Sequence, residues 1–354
     1  MITINGHRTG LIVPATRPRT FTRYRDAVKI RGRSEILEII NDPSRKMGRD
    51  RWGTERIKNQ GNRGACNGFA GATALEQSRE ILGQDFVALS GEGLYAQING
   101  GSDRGSLLNE GMEAIMRTGI PPQSMVPHEE YLWRRISQEA KDACSRFRAH
   151  ECYRVDDELE LADGLASGFT GVVAVHATNA WSRIDNNGVC GTSNGVGNHA
   201  VAVDGIRIVG GELQFDMPNS WDLTFGDNGR GWLTWSRHFK TTVKYHAFYL
   251  IRSTLDDPQA DNPPAIDGEQ PRPEPKPSKI VKITMGSSSN CGWCSKWKSE
   301  ELPLLDALGW DFSEVSASGS VPTFTIDTAN QNQKIVGFTT VAKLQSIVRD
   351  MQSR

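Results

Sequence analysis

Gln60-Gly61-Asn62-Arg63-Gly64-Ala65-Cys66 runs directly into Asn67-Gly68-Phe69-Ala70-Gly71-Ala72-Thr73-Ala74-Leu75-Glu76. From Cys66 onward the residues are small and apolar, with Phe69, Leu75 and Leu82 at helix-compatible spacing, which predicts a buried helix that begins at the cysteine. A thiol at a helix N-terminus gains thiolate character, and a nearby imidazolium adds to it, so its expected pKa falls well below the ordinary ~8.5. Gly61 and Gly64 let the backbone turn tightly and approach a carbonyl group. Far downstream stand Asn198-His199-Ala200-Val201 and Asn219-Ser220-Trp221. A cysteine nucleophile needs a base, a group to hold that base, and donors for a developing oxyanion. Cys66, His199, Asn219 and Gln60 can supply these. Val201, Val203, Ile206 and Ile208, followed by Leu213, Phe215 and Met217, predict two strands joined through Val209-Gly210-Gly211, a hairpin that can return Asn219 to His199.

Over residues 49–253 this arrangement resembles the papain-like cysteine peptidases. The resemblance implies an α+β domain with a helical left lobe and a β-rich right lobe. It also implies roles: Cys66 as nucleophile, His199 as general base and acid, Asn219 orienting the imidazole, and Gln60 donating to the oxyanion beside the Cys66 N–H. Trp221 would shield the Asn219–His199 bond. Gly64, Gly105 and Ser106 would run beside an extended peptide and bond it as an added strand, and Ala200 would touch a side-chain pocket. Phe225-Gly226-Asp227-Asn228-Gly229-Arg230-Gly231-Trp232 resembles the Gly/Trp-rich hairpin that follows in the family. Two positions depart from the pattern: Arg63 replaces a cysteine that forms a disulfide in extracellular members, and Asn67 replaces the aromatic after the nucleophile.

A second chemistry lies near the C-terminus. Cys291-Gly292-Trp293-Cys294 follows the apolar run Ile280-Val281-Lys282-Ile283-Thr284-Met285 and precedes a helical pattern of Trp297, Leu302, Leu305 and Leu308. At a strand-to-helix junction the first cysteine of a dithiol gains thiolate character and the second can resolve a mixed disulfide. This stretch resembles the thioredoxin/glutaredoxin family. There Pro322, in Val321-Pro322-Thr323-Phe324, would be a cis-proline packed on the dithiol, with strands at 324–326 and 335–338 and a closing helix at 341–351. Zinc would need two further ligands at short spacing, and the expectation is no metal and no cofactor.

Seven of the sixteen prolines fall between Pro258 and Pro277 among charged residues, a composition that builds no core and reads as a semi-rigid linker. The expected organisation is a basic arm or short pro-segment at 1–46, the papain-like domain at 47–254, the linker at 255–278 and a small α/β thioredoxin-like domain at 279–354. Residues 1–56 carry thirteen Lys/Arg against six Asp/Glu, so this end is strongly basic although the whole chain has net charge −1. The arm has three candidate uses: packing on the chain's own acidic surface, inhibiting the cleft, or binding nucleic acid or an assembly partner. There is no specific nucleic-acid motif. No secretory signal and no membrane span are visible, and after the dithiol and Cys66 an odd remainder of Cys144, Cys152 and Cys190 suits a reducing, intracellular setting. The expected function is a cysteine endopeptidase acting on polypeptides. The alternatives are a papain-like fold kept as a structural component of a virus particle or other large complex, and a thiol-disulfide oxidoreductase with an accessory papain-like domain.

Overall fold

A computed structural model describes residues 2–14, 18, 21–191, 195–244, 248–253, 282–287, 292–300, 311–316, 323–327, 332–336, 344 and 347. The chain divides into two compact units, Met1–Pro263 and Pro264–Arg354. In the first, β1 (Thr3–Ile4) and β2 (His7–Arg8) form a hairpin turned by Asn5 and Gly6, both at positive φ. Helices α1 (Tyr24–Ala27) and α2 (Arg33–Ile40) follow. The helical lobe is built from α3 (Cys66–Ile81), α4 (Gly91–Ile98), α5 (Leu108–Arg117) and α6 (Gln138–Ala143). As the apolar run predicts, α3 starts at the cysteine, and every residue from Cys66 to Arg79 is buried. It has no solvent face because the helical lobe lies on one side and the sheet on the other.

That sheet comprises β3 (Glu151–Val155), β4 (Thr170–Val175), β5 (His199–Val203) and β9 (Phe248–Arg252), in the order β3-β9-β4-β5, with α7 (Glu158–Ala166) between β3 and β4 in sequence. Strands β6 (Gly205–Val209), β7 (Glu212–Pro218) and β8 (Arg230–Thr234) form a second, antiparallel sheet. Gly210 and Gly211, both at positive φ, turn β6 into β7. The apolar alternation from Val201 to Ile208 is therefore two strands, not one. The chain changes sheets at Asp204, whose buried carboxylate accepts from Gln77 at 2.6 Å and pairs with Arg230 at 3.0 Å. Arg230 also reaches Asp216 at 3.2 Å, so one buried cation ties β8 both to β7 and to the junction of β5 and β6.

The basic arm packs on the chain's own acids. Arg23 pairs with Glu160 at 2.7 Å, Arg25 with Asp157 and Glu160, and Arg31 with Asp163 at 2.6 Å, all on α7 or its N-cap.

In the second unit, β10 (Lys282–Ser287), β11 (Asp311–Ser316), β12 (Thr323–Asp327) and β13 (Asn332–Val336) form a sheet in the order β11-β10-β12-β13. β10 is parallel to β11 and antiparallel to β12, which is antiparallel to β13. Helix α8 (Gly292–Glu300) carries Cys294, which is buried and disulfide-bonded, and buries Trp297 against Phe324, ring centroids 5.0 Å apart. Cys291, Pro322, residues 255–278 and nearly all of 341–351 lie outside the described residues. Among the described residues no helix is long and apolar enough to cross a membrane.

Candidate active site

Cys66 opens α3 and His199 opens β5, the strand against which that helix packs. Asn219 follows the last residue of β7, so the hairpin does return it to the histidine: His199 Nε2 lies 2.9 Å from Asn219 Oδ1. The same Oδ1 accepts the Ser220 N–H at 2.9 Å, which fixes the amide with its oxygen toward the ring. Nε2 then carries the hydrogen, leaving the buried, unpartnered Nδ1 as the basic nitrogen. The Trp221 ring lies 4.6 Å from the His199 ring and covers this pair from outside. Gln60 is clamped by Ser220, whose Oγ donates to Gln60 Oε1 at 2.7 Å while its carbonyl accepts the Gln60 N–H at 2.9 Å. The amide nitrogen is thereby turned into the cleft.

An extended piece of the chain's own N-terminus already lies in that cleft. His7 stacks on Trp221 at 5.1 Å with the rings 5° from parallel. The Arg8 carbonyl accepts from Gln60 Nε2 at 2.9 Å. Gly10 O accepts the Ser106 N–H at 2.9 Å, Ile12 N–H donates to Ser106 O at 2.9 Å, and Leu11 N–H donates to Asn198 O at 3.2 Å. Ser106 thus holds an added strand, and it does so in parallel register with Leu11. The backbones approach closely here: a Cβ on Gly10 would sit 1.7 Å from Gly64 O, and one on Gly105, at φ +86°, would sit 2.2 Å from Gly10 O. The sequence-predicted Gln60, Gly64, Cys66, Gly105, Ser106, His199, Ala200, Asn219 and Trp221 surround this one cleft. Cys294 belongs to the other compact unit, while Cys291 and Pro322 are not described. Among the described residues no group of three His, Cys, Asp or Glu is placed to hold a metal.

Residues 44–251, more than half of the chain, match the family model described as papain family cysteine protease. The chain belongs to the papain family of cysteine proteases. Similar relatives include the probable cysteine protease RDL2 of Arabidopsis thaliana, 27% identical over 49% of this chain and 49% of that one. A viral cathepsin of Spodoptera litura multicapsid nucleopolyhedrovirus is 29% identical over 49% of this chain and 52% of its own. The chain thus spans about half the length of the curated relatives it matches. Xylellain, a cysteine protease from Xylella fastidiosa with a solved crystal structure, shares the papain-like α+β fold at a TM-score of 0.55. That match is 17% identical and covers 72% of this chain and 99% of that one.

The electrostatics of this papain-family cleft correct one expectation. Burial pushes the Cys66 thiol up rather than down, although N–H groups of Ala200, Gly10, Asn67 and Cys66 itself oppose the rise. Burial likewise brings the His199 imidazole down to about 4, against the opposing hydrogen bond to Asn219. With residues 7–12 covering them, burial favours the neutral form of each group, because neither charged form has water. The two departures from the family pattern also find structural uses. Asn67 Nδ2 donates to Ser106 Oγ at 3.1 Å and to Leu107 O at 2.8 Å, tying α3 to the strand-binding edge. Arg63 turns over the Tyr131 ring, 4.7 Å away. The Asp103 carboxylate accepts the Gly64 N–H at 2.9 Å and so ties the Gly64 segment to the Asp103–Gly105 loop. Sequence reading missed His7, Arg8, Gly10, Asp103 and the clamping role of Ser220. The Asn-Ser-Trp motif contained the last, but nothing in the pattern near residues 7–10 or 103 pointed to a site.

Proposed function

We propose that this chain is a cysteine endopeptidase whose cleft is closed at rest by its own residues 7–12. The observation that supports the reading is the hydrogen-bond chain from His199 through Asn219 and Ser220 to Gln60, with the buried Cys66 thiol against the N–H of Ala200, the neighbour of His199. In this mechanism the segment first leaves and water enters, which lifts the penalty on both charges. His199 Nδ1 takes the Cys66 proton and the thiolate attacks a peptide carbonyl. Gln60 Nε2 and the Cys66 N–H hold the oxyanion, His199 protonates the leaving amine, and water hydrolyses the thioester. The test is hydrolysis of generic peptide substrates by the wild type and by Cys66→Ala, together with mass spectrometry after an epoxide probe. Loss of turnover in the variant and selective modification of Cys66 are expected. Wild-type turnover in Cys66→Ala overturns the assignment.

For the C-terminal unit we propose a thioredoxin-like fold used in thiol-disulfide exchange, with Cys291 as the attacking thiol and Cys294 resolving the mixed disulfide. The order β11-β10-β12-β13, with one parallel and two antiparallel pairings, and the buried, disulfide-bonded Cys294 on α8 support this reading. Reduction of insulin by the wild type and not by Cys291→Ser tests it.

A further inference from the structure

Asp103 sits at the edge of the cleft with its two oxygens in different employment. Oδ1 is fully used by the protein: it accepts the Gly64 N–H at 2.9 Å and the Tyr95 hydroxyl at 2.8 Å. The Tyr95 hydroxyl in turn accepts the Gly105 N–H at 3.0 Å, so the carboxylate is fixed to both walls of this side of the cleft. Oδ2 faces the cleft occupant and pairs with Arg8 Nη1 at 2.8 Å. Its side chain is 9% exposed even so, and among the described residues Arg8 is the one cation paired with it. When residues 7–12 leave, a held and largely desolvated carboxylate oxygen loses its partner, which is costly unless another cation replaces it.

Which part of a substrate would meet it follows from the chemistry of the proposed peptidase, on which this inference rests. The leaving amine has to be protonated by His199, so it lies toward the His199–Trp221 wall. The acyl part lies toward Gly64, Gly105 and Ser106, where Asp103 is. We propose that Asp103 selects substrates with arginine or lysine on the acyl side of the scissile bond. Arg8 holds that subsite in the resting molecule, its guanidinium standing in for the substrate's cation.

The test uses the full-length chain with Arg8→Ala, which removes the competing guanidinium. It compares fluorogenic peptides that differ solely in arginine, lysine or norleucine before the cleaved bond. Any residual closure of the cleft scales all three rates equally, so the ratio of kcat/KM reads the subsite alone. Arginine and lysine should exceed norleucine by about 10–100-fold, the scale of a charge-assisted contact in a part-buried site. Adding Asp103→Asn, which keeps an oxygen for Gly64 and Tyr95, should bring the ratio near one, whereas Asp103→Glu should retain a basic preference. A ratio near one before Asp103 is changed, or a preference that survives Asp103→Asn, overturns the inference. Turnover of none of the peptides together with no modification of Cys66 overturns the peptidase reading itself, and this one with it.

Discussion

Gly10 is the residue on which closure of the cleft turns. No side chain fits between its Cα and the Gly64 carbonyl, so Gly10→Val should expel the segment while leaving both lobes packed as they are. Overpacking of this kind costs about 1–3 kcal/mol, so alkylation of Cys66 should accelerate by about 10–100-fold. An unchanged rate would mean that the segment does not control access. Gln60 and Ser220 form a second residue-scale unit. Gln60→Ala should lower kcat by about 10²–10³-fold as an oxyanion donor is lost. Ser220→Ala should lower kcat less and leave KM nearly unchanged, because it frees the Gln60 amide to rotate without removing it. Equal losses in kcat and gains in KM would point to a binding role instead.

At the scale of elements, closure buries two groups in their neutral forms, and this sets a pH window. A free imidazole takes a proton below about 6.5, but in the closed cleft His199 does so near 4. Between those values the open arrangement binds the extra proton, so closure is fully stable above pH ~6.5 and weakens as pH falls toward 4, by about 3 kcal/mol in total. The raised Cys66 thiol acts in the opposite direction, eroding closure as pH rises past the ordinary ~8.5. Protease susceptibility of the first twenty residues, followed from pH 4 to 7, should therefore be highest in acid. A flat profile would refute the account. Much of this layout was legible beforehand. Small residues after Cys66 mark a helix with no exposed face, and Gly210-Gly211 marks the hairpin. The change of sheet at Asp204 was legible too but overlooked: apolar positions are odd-numbered at Val201 and Val203 and even-numbered at Ile206 and Ile208, a slip in alternation that one strand cannot accommodate. The strand in the cleft left no such trace. Its bonds run to its own backbone from distant backbone groups and from the Gln60 amide, and its Arg8 side chain pairs with a residue ninety-five positions away, so no local periodicity encodes it.

Across the whole molecule, the chain divides into compact units between Pro263 and Pro264, and limited proteolysis within the proline-rich sequence 255–278 should release two fragments that each keep a cooperative thermal transition. Loss of the transition in either fragment would show that it depends on the other. The segment in the cleft also has a direction. It passes from Trp221 at His7 to Ser106 at Leu11, from the leaving-amine side to the acyl side, and so runs opposite to a substrate. The nitrogen that would depart from the Arg8 carbonyl then lies on the side away from His199 and cannot be protonated there. On the proposed mechanism, therefore, the chain does not cut itself while this segment occupies the cleft. Because occupant and cleft are one covalent molecule, their encounter is governed by a local concentration that dilution leaves untouched. Onset of activity should accordingly be first-order, with a half-time that stays the same from nanomolar to micromolar protein, whereas closure shared between molecules would loosen on dilution.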